Sequence, residues 1–123
     1  MNRYFGQVVL ITGASRGIGL AIAKRIVSEG GKVVITARKP EALAAAVLDL
    51  GGPEYAVAIA GSADDQAHQD EAVQGAMNTF GRIDTLVNNC GINPHYGPLL
   101  DVDYSAAKKI FDVNVMATIS WTK

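Results

Sequence analysis

A glycine-punctuated run near the amino terminus most constrains what this chain can fold into. Thr12-Gly13-Ala14-Ser15-Arg16-Gly17-Ile18-Gly19 follows the apolar run Val8-Val9-Leu10-Ile11 and leads directly into Leu20 to Val27, whose apolar residues recur at helical spacing. The pattern is a strand, a turn and a helix. Such a turn aims backbone N–H groups and the positive end of the helix dipole at one small volume, where a phosphate can sit. Gly13 would make the tight turn, Gly17 would let a pyrophosphate approach the backbone, and Gly19 would let the helix press on the strand. The spacing is Gly-x-x-x-Gly-x-Gly, which departs from the Gly-x-Gly-x-x-Gly dinucleotide fingerprint. Taken alone, it equally describes a strand-to-helix connection that binds nothing.

The rest of the chain repeats this alternation. Gly30-Gly31 stops the first helix, Gly17 to Glu29, and Lys32 to Ala37 is a second β-branched strand. Pro40 opens a second helix that runs to about Leu50, where Gly51-Gly52-Pro53 breaks it. Tyr55 to Ala60 is predicted as the third strand, Ser62 to Asp65 as the cap of a helix reaching Phe80, and Ile83 to Asn88 as the fourth strand. Alternating strands and helices imply parallel pairing through right-handed crossovers, hence an α/β doubly wound, Rossmann-like sheet. The expected strand order is 3-2-1-4, which puts the ligand crevice between the first and fourth strands, where Gly13 and Gly91 would meet. A last helix, about Asp103 to Lys123, carries an apolar stripe of Ala107, Ile110, Phe111, Val115 and Thr118, on which the amide of Asn114 falls.

Composition narrows the function classes. With 49% apolar and 19% charged residues in 123, the chain has the make-up of one folded domain. A net charge of −1, with basic residues spread along the chain, argues against a nucleic-acid surface or a polybasic membrane patch. No run has the length of a signal-peptide core or a bilayer span, so a cytoplasmic setting is expected. The single cysteine, Cys90, cannot form an internal disulfide, and two distant histidines make no metal site. His68, on a polar helix face, and His95, in a proline-rich loop, are both expected at the surface.

Three motifs together carry a family resemblance. The glycine run, the segment Asn88-Asn89-Cys90-Gly91 after the fourth strand, and Asp112-Val113-Asn114-Val115 occur in the order and spacing that resembles the short-chain dehydrogenase/reductases. The resemblance spans the whole chain but only that family's amino-terminal half, so a truncated dinucleotide-binding domain over residues 1–123 is expected. It implies an oxidoreductase that moves a hydride between a nicotinamide and a small carbonyl or alcohol substrate, assembling as a homo-oligomer when full length. It implies cofactor contacts from Gly13, Ser15, Arg16, Gly17, Ile18, Gly19, Arg38, Ser62, Ala63, Asn89, Cys90 and Gly91, with Asn88 tying neighbouring strands. Asn114 would hold a water in a proton relay and is the one catalytic residue it assigns here.

The cofactor choice is readable at the end of the second strand. A carboxylate there would bind ribose hydroxyls and repel a 2′-phosphate, whereas Thr36-Ala37-Arg38-Lys39 has none. Arg38 with Arg16 would clamp the phosphate, so NADP(H) is expected. Ser62-Ala63 stands where the family usually has Asp-Val against the adenine, leaving a hydroxyl in place of a charge. Tyr104 and Lys108 are spaced as the family's Tyr-x-x-x-Lys, but they precede Asn114 and no serine-bearing strand lies upstream, so the pair is read as a coincidence. A non-catalytic NADP-binding module or pseudoenzyme is the alternative reading.

Overall fold

The computed structural model describes residues 3–89 together with Lys108, Ile119 and Trp121. Four parallel strands, β1 (Val8–Thr12), β2 (Lys32–Ala37), β3 (Ala56–Ala60) and β4 (Thr85–Val87), lie in the order β3-β2-β1-β4. Three helices connect them: α1 (Gly17–Ser28), α2 (Pro40–Asp49) and α3 (Gln66–Phe80).

Because β1 is covered on both faces, all five of its residues are buried, which is why its sequence reads as an unbroken apolar run. Strand alternation then sorts the core into two layers. Val9, Ile11, Val33 and Ile35 pack with Ala23 and Ile26 of α1 and Leu43 and Ala46 of α2. Val8, Leu10 and Val34 face Ala72 and Ala76 of α3, with Phe80, Ile83 and Trp121 at the margin. Gly30 ends α1 at φ +91°, with the Gly31 N–H returning to the Ile26 carbonyl at 3.0 Å. Asp65 caps α3 by accepting the Ala67 N–H at 3.1 Å, while Gly81 closes it at φ +79°.

The fourth strand is shorter than the sequence predicts. Asp84 both donates its N–H to the Val8 carbonyl at 2.8 Å and accepts the Val8 N–H on its carboxylate at 2.8 Å. A side chain thus replaces one rung of the ladder, and regular pairing begins at Thr85. Elsewhere Glu29 and Leu50 are helix C-caps rather than helical residues, and Tyr55 precedes β3. Among the described residues no helix is long and apolar enough to cross a membrane.

Candidate dinucleotide-binding site

The parallel register brings the carboxyl ends of all four strands to one edge, and specific bonds lock the loops leaving them together. The Ala14 N–H donates to the Thr36 carbonyl at 3.0 Å, seating the glycine turn beside the end of β2. The Gly61 N–H reaches the Ala37 carbonyl at 2.9 Å, joining the β3 exit to the same place. On the other side, Asn89 Nδ2 donates to the Gly13 carbonyl at 3.0 Å and the Asn89 N–H to Thr12 Oγ1 at 3.1 Å. Asn89 therefore makes a tie between β4 and the turn, next to Asn88, to which the resemblance gives the strand-tying role.

The turn itself has the conformation its glycines suggest. Gly13 and Gly17 adopt φ +64° and +62°, in the left-handed region that side chains rarely occupy. A Cβ on Gly19 would lie 2.6 Å from both Asn89 Nδ2 and the Gly13 carbonyl and 2.9 Å from Ala14 Cα. Helix, turn and β4 exit meet there too closely for any other residue. Nothing among the described residues lies within 4 Å of the Cβ position on Gly17, so on their side the approach to the start of α1 is open.

An anion at that opening would find unsatisfied donors. α1 begins at Arg16 with no side-chain cap and no acidic residue in its first turn, whereas α3 has Asp65 and α2 has Pro40 and Glu41. Leaving the first N–H groups and the dipole uncompensated suits a helix end that receives a phosphate. Arg16 and Ile18 are exposed beside it, Ser15 is half-buried, and Arg38 is exposed just past β2. These residues fit the pyrophosphate of a dinucleotide on geometry alone.

The β3 exit differs from expectation. The Ser62 hydroxyl donates to the Asp64 carboxylate. The Ala63 carbonyl accepts from Gln69 Nε2 at 2.9 Å and from Trp121 Nε1 at 3.1 Å. His68, expected at the surface, is only 4% exposed. It shares one face of α3 with Ala72 and Ala76 at successive steps of four, and burial pushes its imidazole below the usual range against the pull of Glu71 and Asp65. That i, i+4, i+8 spacing was the signal for its burial, masked by the polar residues around it. Trp121 meets the ring edge to face, with centroids 5.7 Å apart, so this tryptophan has a partner within the chain. Cys90, Gly91, Tyr104 and Asn114 lie outside the described residues, and Lys108 is exposed. Among the described residues, no group of three His, Cys, Asp or Glu is placed to hold a metal ion.

The short chain dehydrogenase family model matches residues 7–123. The chain belongs to that family. Dehydrogenase/reductase SDR family member 4 of Caenorhabditis elegans is 40% identical over 99% of this chain and 48% of its own length. A short chain dehydrogenase from Burkholderia cenocepacia, solved in complex with NADP, superposes with a TM-score of 0.89 at 38% identity, over 98% of this chain and 50% of that one. A 3-ketoacyl-(acyl-carrier-protein) reductase from Brucella melitensis, complexed with NADH, gives 0.91 at 36% identity, over 96% and 48%. The chain thus spans about half the length of these relatives.

Proposed function

We propose that this chain is the dinucleotide-binding portion of an NADP(H)-dependent oxidoreductase acting on a small carbonyl or alcohol substrate. The observation that carries the reading is the uncapped, glycine-lined start of α1, bonded to a β2 exit that presents Arg38 and no carboxylate. Relatives solved with NADP and with NADH support dinucleotide binding and leave the choice to the residues of this chain.

When bound, a nicotinamide dinucleotide supplies the hydride and the redox chemistry. The residues described here bind and orient it. The α1 N–H groups and Arg16 would hold the pyrophosphate, Gly13 and Gly17 would let it approach the backbone, and Arg38 would meet a 2′-phosphate as a charge-assisted partner. Asn114 would hold the relay water that the family resemblance assigns to it, whereas Tyr104 and Lys108 carry no step in this reading. The resemblance puts the family's proton donor outside these 123 residues, so turnover by them alone is not expected.

Titration of the protein with NADPH and NADH, followed by nicotinamide fluorescence, tests the choice. NADPH should bind at least about tenfold tighter, since a hydrogen bond to a charged group is worth roughly 1.5–3 kcal/mol. Ala37→Asp with Arg38→Leu should reverse the order, and equal affinities in the unmodified protein would overturn the assignment.

A further inference from the structure

His68 is the described residue whose placement the dinucleotide reading leaves unexplained. Both of its ring nitrogens are buried, and neither has a hydrogen-bond partner among the described residues. Two unpaired polar atoms inside a small domain cost stability, and an apolar side chain would fit the same face of α3 without that cost.

The ring's position is informative. An ideal Cβ on Gly61 would fall 2.3 Å from His68 Nδ1 and 2.5 Å from Cγ. The imidazole therefore occupies the place a side chain on Gly61 would take, immediately after β3 at the carboxyl edge of the sheet. Gly61 does not adopt a positive φ, so the backbone itself tolerates a side chain and only the ring excludes one. Trp121 also meets the ring, edge to face, and its indole N–H joins Gln69 on the Ala63 carbonyl. Gly61 and Ala63, at the two ends of the turn, are thus held by His68 and Gln69 of α3 and by Trp121 in one small cluster.

Sheet order says what that turn faces. If pyrophosphate sits at the start of α1 and the adenosine ribose at the end of β2, the base lies one strand further out, over the end of β3. We propose that His68 is a positioning residue for the adenine end of the dinucleotide, filling the place of the missing residue-61 side chain and holding the Gly61–Ala63 turn as the floor on which the base rests. This inference rests on the dinucleotide reading above and assigns the base-binding end to a residue on α3.

ADP and pyrophosphate separate the base from the phosphates. Calorimetric titrations of both at pH 7.5 compare the unmodified protein with His68→Ala, Gly61→Ala and the double variant. Each single change should weaken ADP about tenfold, equivalent to roughly 1.4 kcal/mol, and leave pyrophosphate unchanged. The double variant should bind ADP more tightly than either single one, because the new Cβ then enters vacated space. Loss of both ligands together in the single variants would mean a general structural role and overturn the proposal, as would an unchanged ADP to pyrophosphate ratio. In the unmodified protein, ADP but not pyrophosphate should shift the His68 imidazole resonances, which keeps the test open if a variant fails to fold. Failure of both ligands to bind the unmodified protein would sink the dinucleotide reading itself, and this inference with it.

Discussion

The side-chain amide of Asn89 joins β4 to the glycine turn, and its neighbours allow no substitute. Asn89→Ala leaves the Gly13 carbonyl without its 3.0 Å donor in a half-buried position, at a cost of about 1–3 kcal/mol. Asn89→Asp should be worse, since it sets a carboxylate against that carbonyl; urea midpoints of the two variants check the order. His68 makes a prediction in pH. Burial holds its imidazole below the ordinary value near 6.5, despite Glu71 and Asp65. The unfolded chain therefore takes up the proton first as the medium is acidified. The contribution of neutral His68 is fully present above about pH 6.5 and declines as the pH falls below it. His68→Leu should flatten that limb in urea unfolding followed from pH 7.5 to 5.5, and an unchanged slope would count against the burial. The contrast between these two residues shows what the sequence discloses. Asn89 stood in a motif that pointed to the site, whereas the placement of His68 depends on Gly61 and Trp121, seven and 53 positions away.

At the scale of elements, β1, β2 and all three helices were legible because their signals are local. Runs of β-branched residues, Pro40 at a helix start and glycines at helix ends act within a few residues of themselves. The start of β4 was not legible, because Asp84 is bonded to Val8 across 76 positions, and no pattern in residues 83–88 announces that pairing. Asp84 is held below the usual carboxylate range by the hydrogen bond from Arg82, and further by the Val8 N–H. A carboxylate so depressed stabilises the fold above its unfolded value and loses that contribution only as the pH falls through its folded one. The start of the sheet should accordingly persist into mild acid. Asp84→Ala removes the acceptor outright, and hydrogen exchange at the Val8 amide should accelerate at neutral pH while the Leu10 amide, paired within the β1 ladder, changes less. Equal acceleration along β1 would show that Asp84 supports the whole strand rather than its first rung.

For the whole molecule, the described sheet ends at β4, whose ladder is paired to β1 on one side. Thr85 is exposed there, and Leu86 and Val87 are only partly buried. Beside them runs an open groove of about 340 Å³ lined by Tyr4, Val9, Ile22, Ile26, Thr85 and Val87. At its polar rim the buried carboxylate of Glu29 takes both Arg3 and Arg25, so three charges are gathered into one cluster whose net charge is a single positive one. An apolar groove next to a strand edge, with only one net charge at its rim, has little to oppose association. Fully burying an aliphatic side chain is worth roughly 1.5–3 kcal/mol, against a total stability of about 5–15 for a domain, so a few such residues left wet decide the outcome. The 123-residue chain on its own should therefore self-associate in the micromolar range or melt at low temperature. Sedimentation velocity across a concentration series checks this. Thr85→Lys adds a charge at an exposed edge position without removing a buried contact, and it should shift the distribution toward monomer. A monomer at all concentrations with one cooperative melt above about 60 °C, beyond much of the mesophile range, would show instead that these residues form a self-sufficient domain.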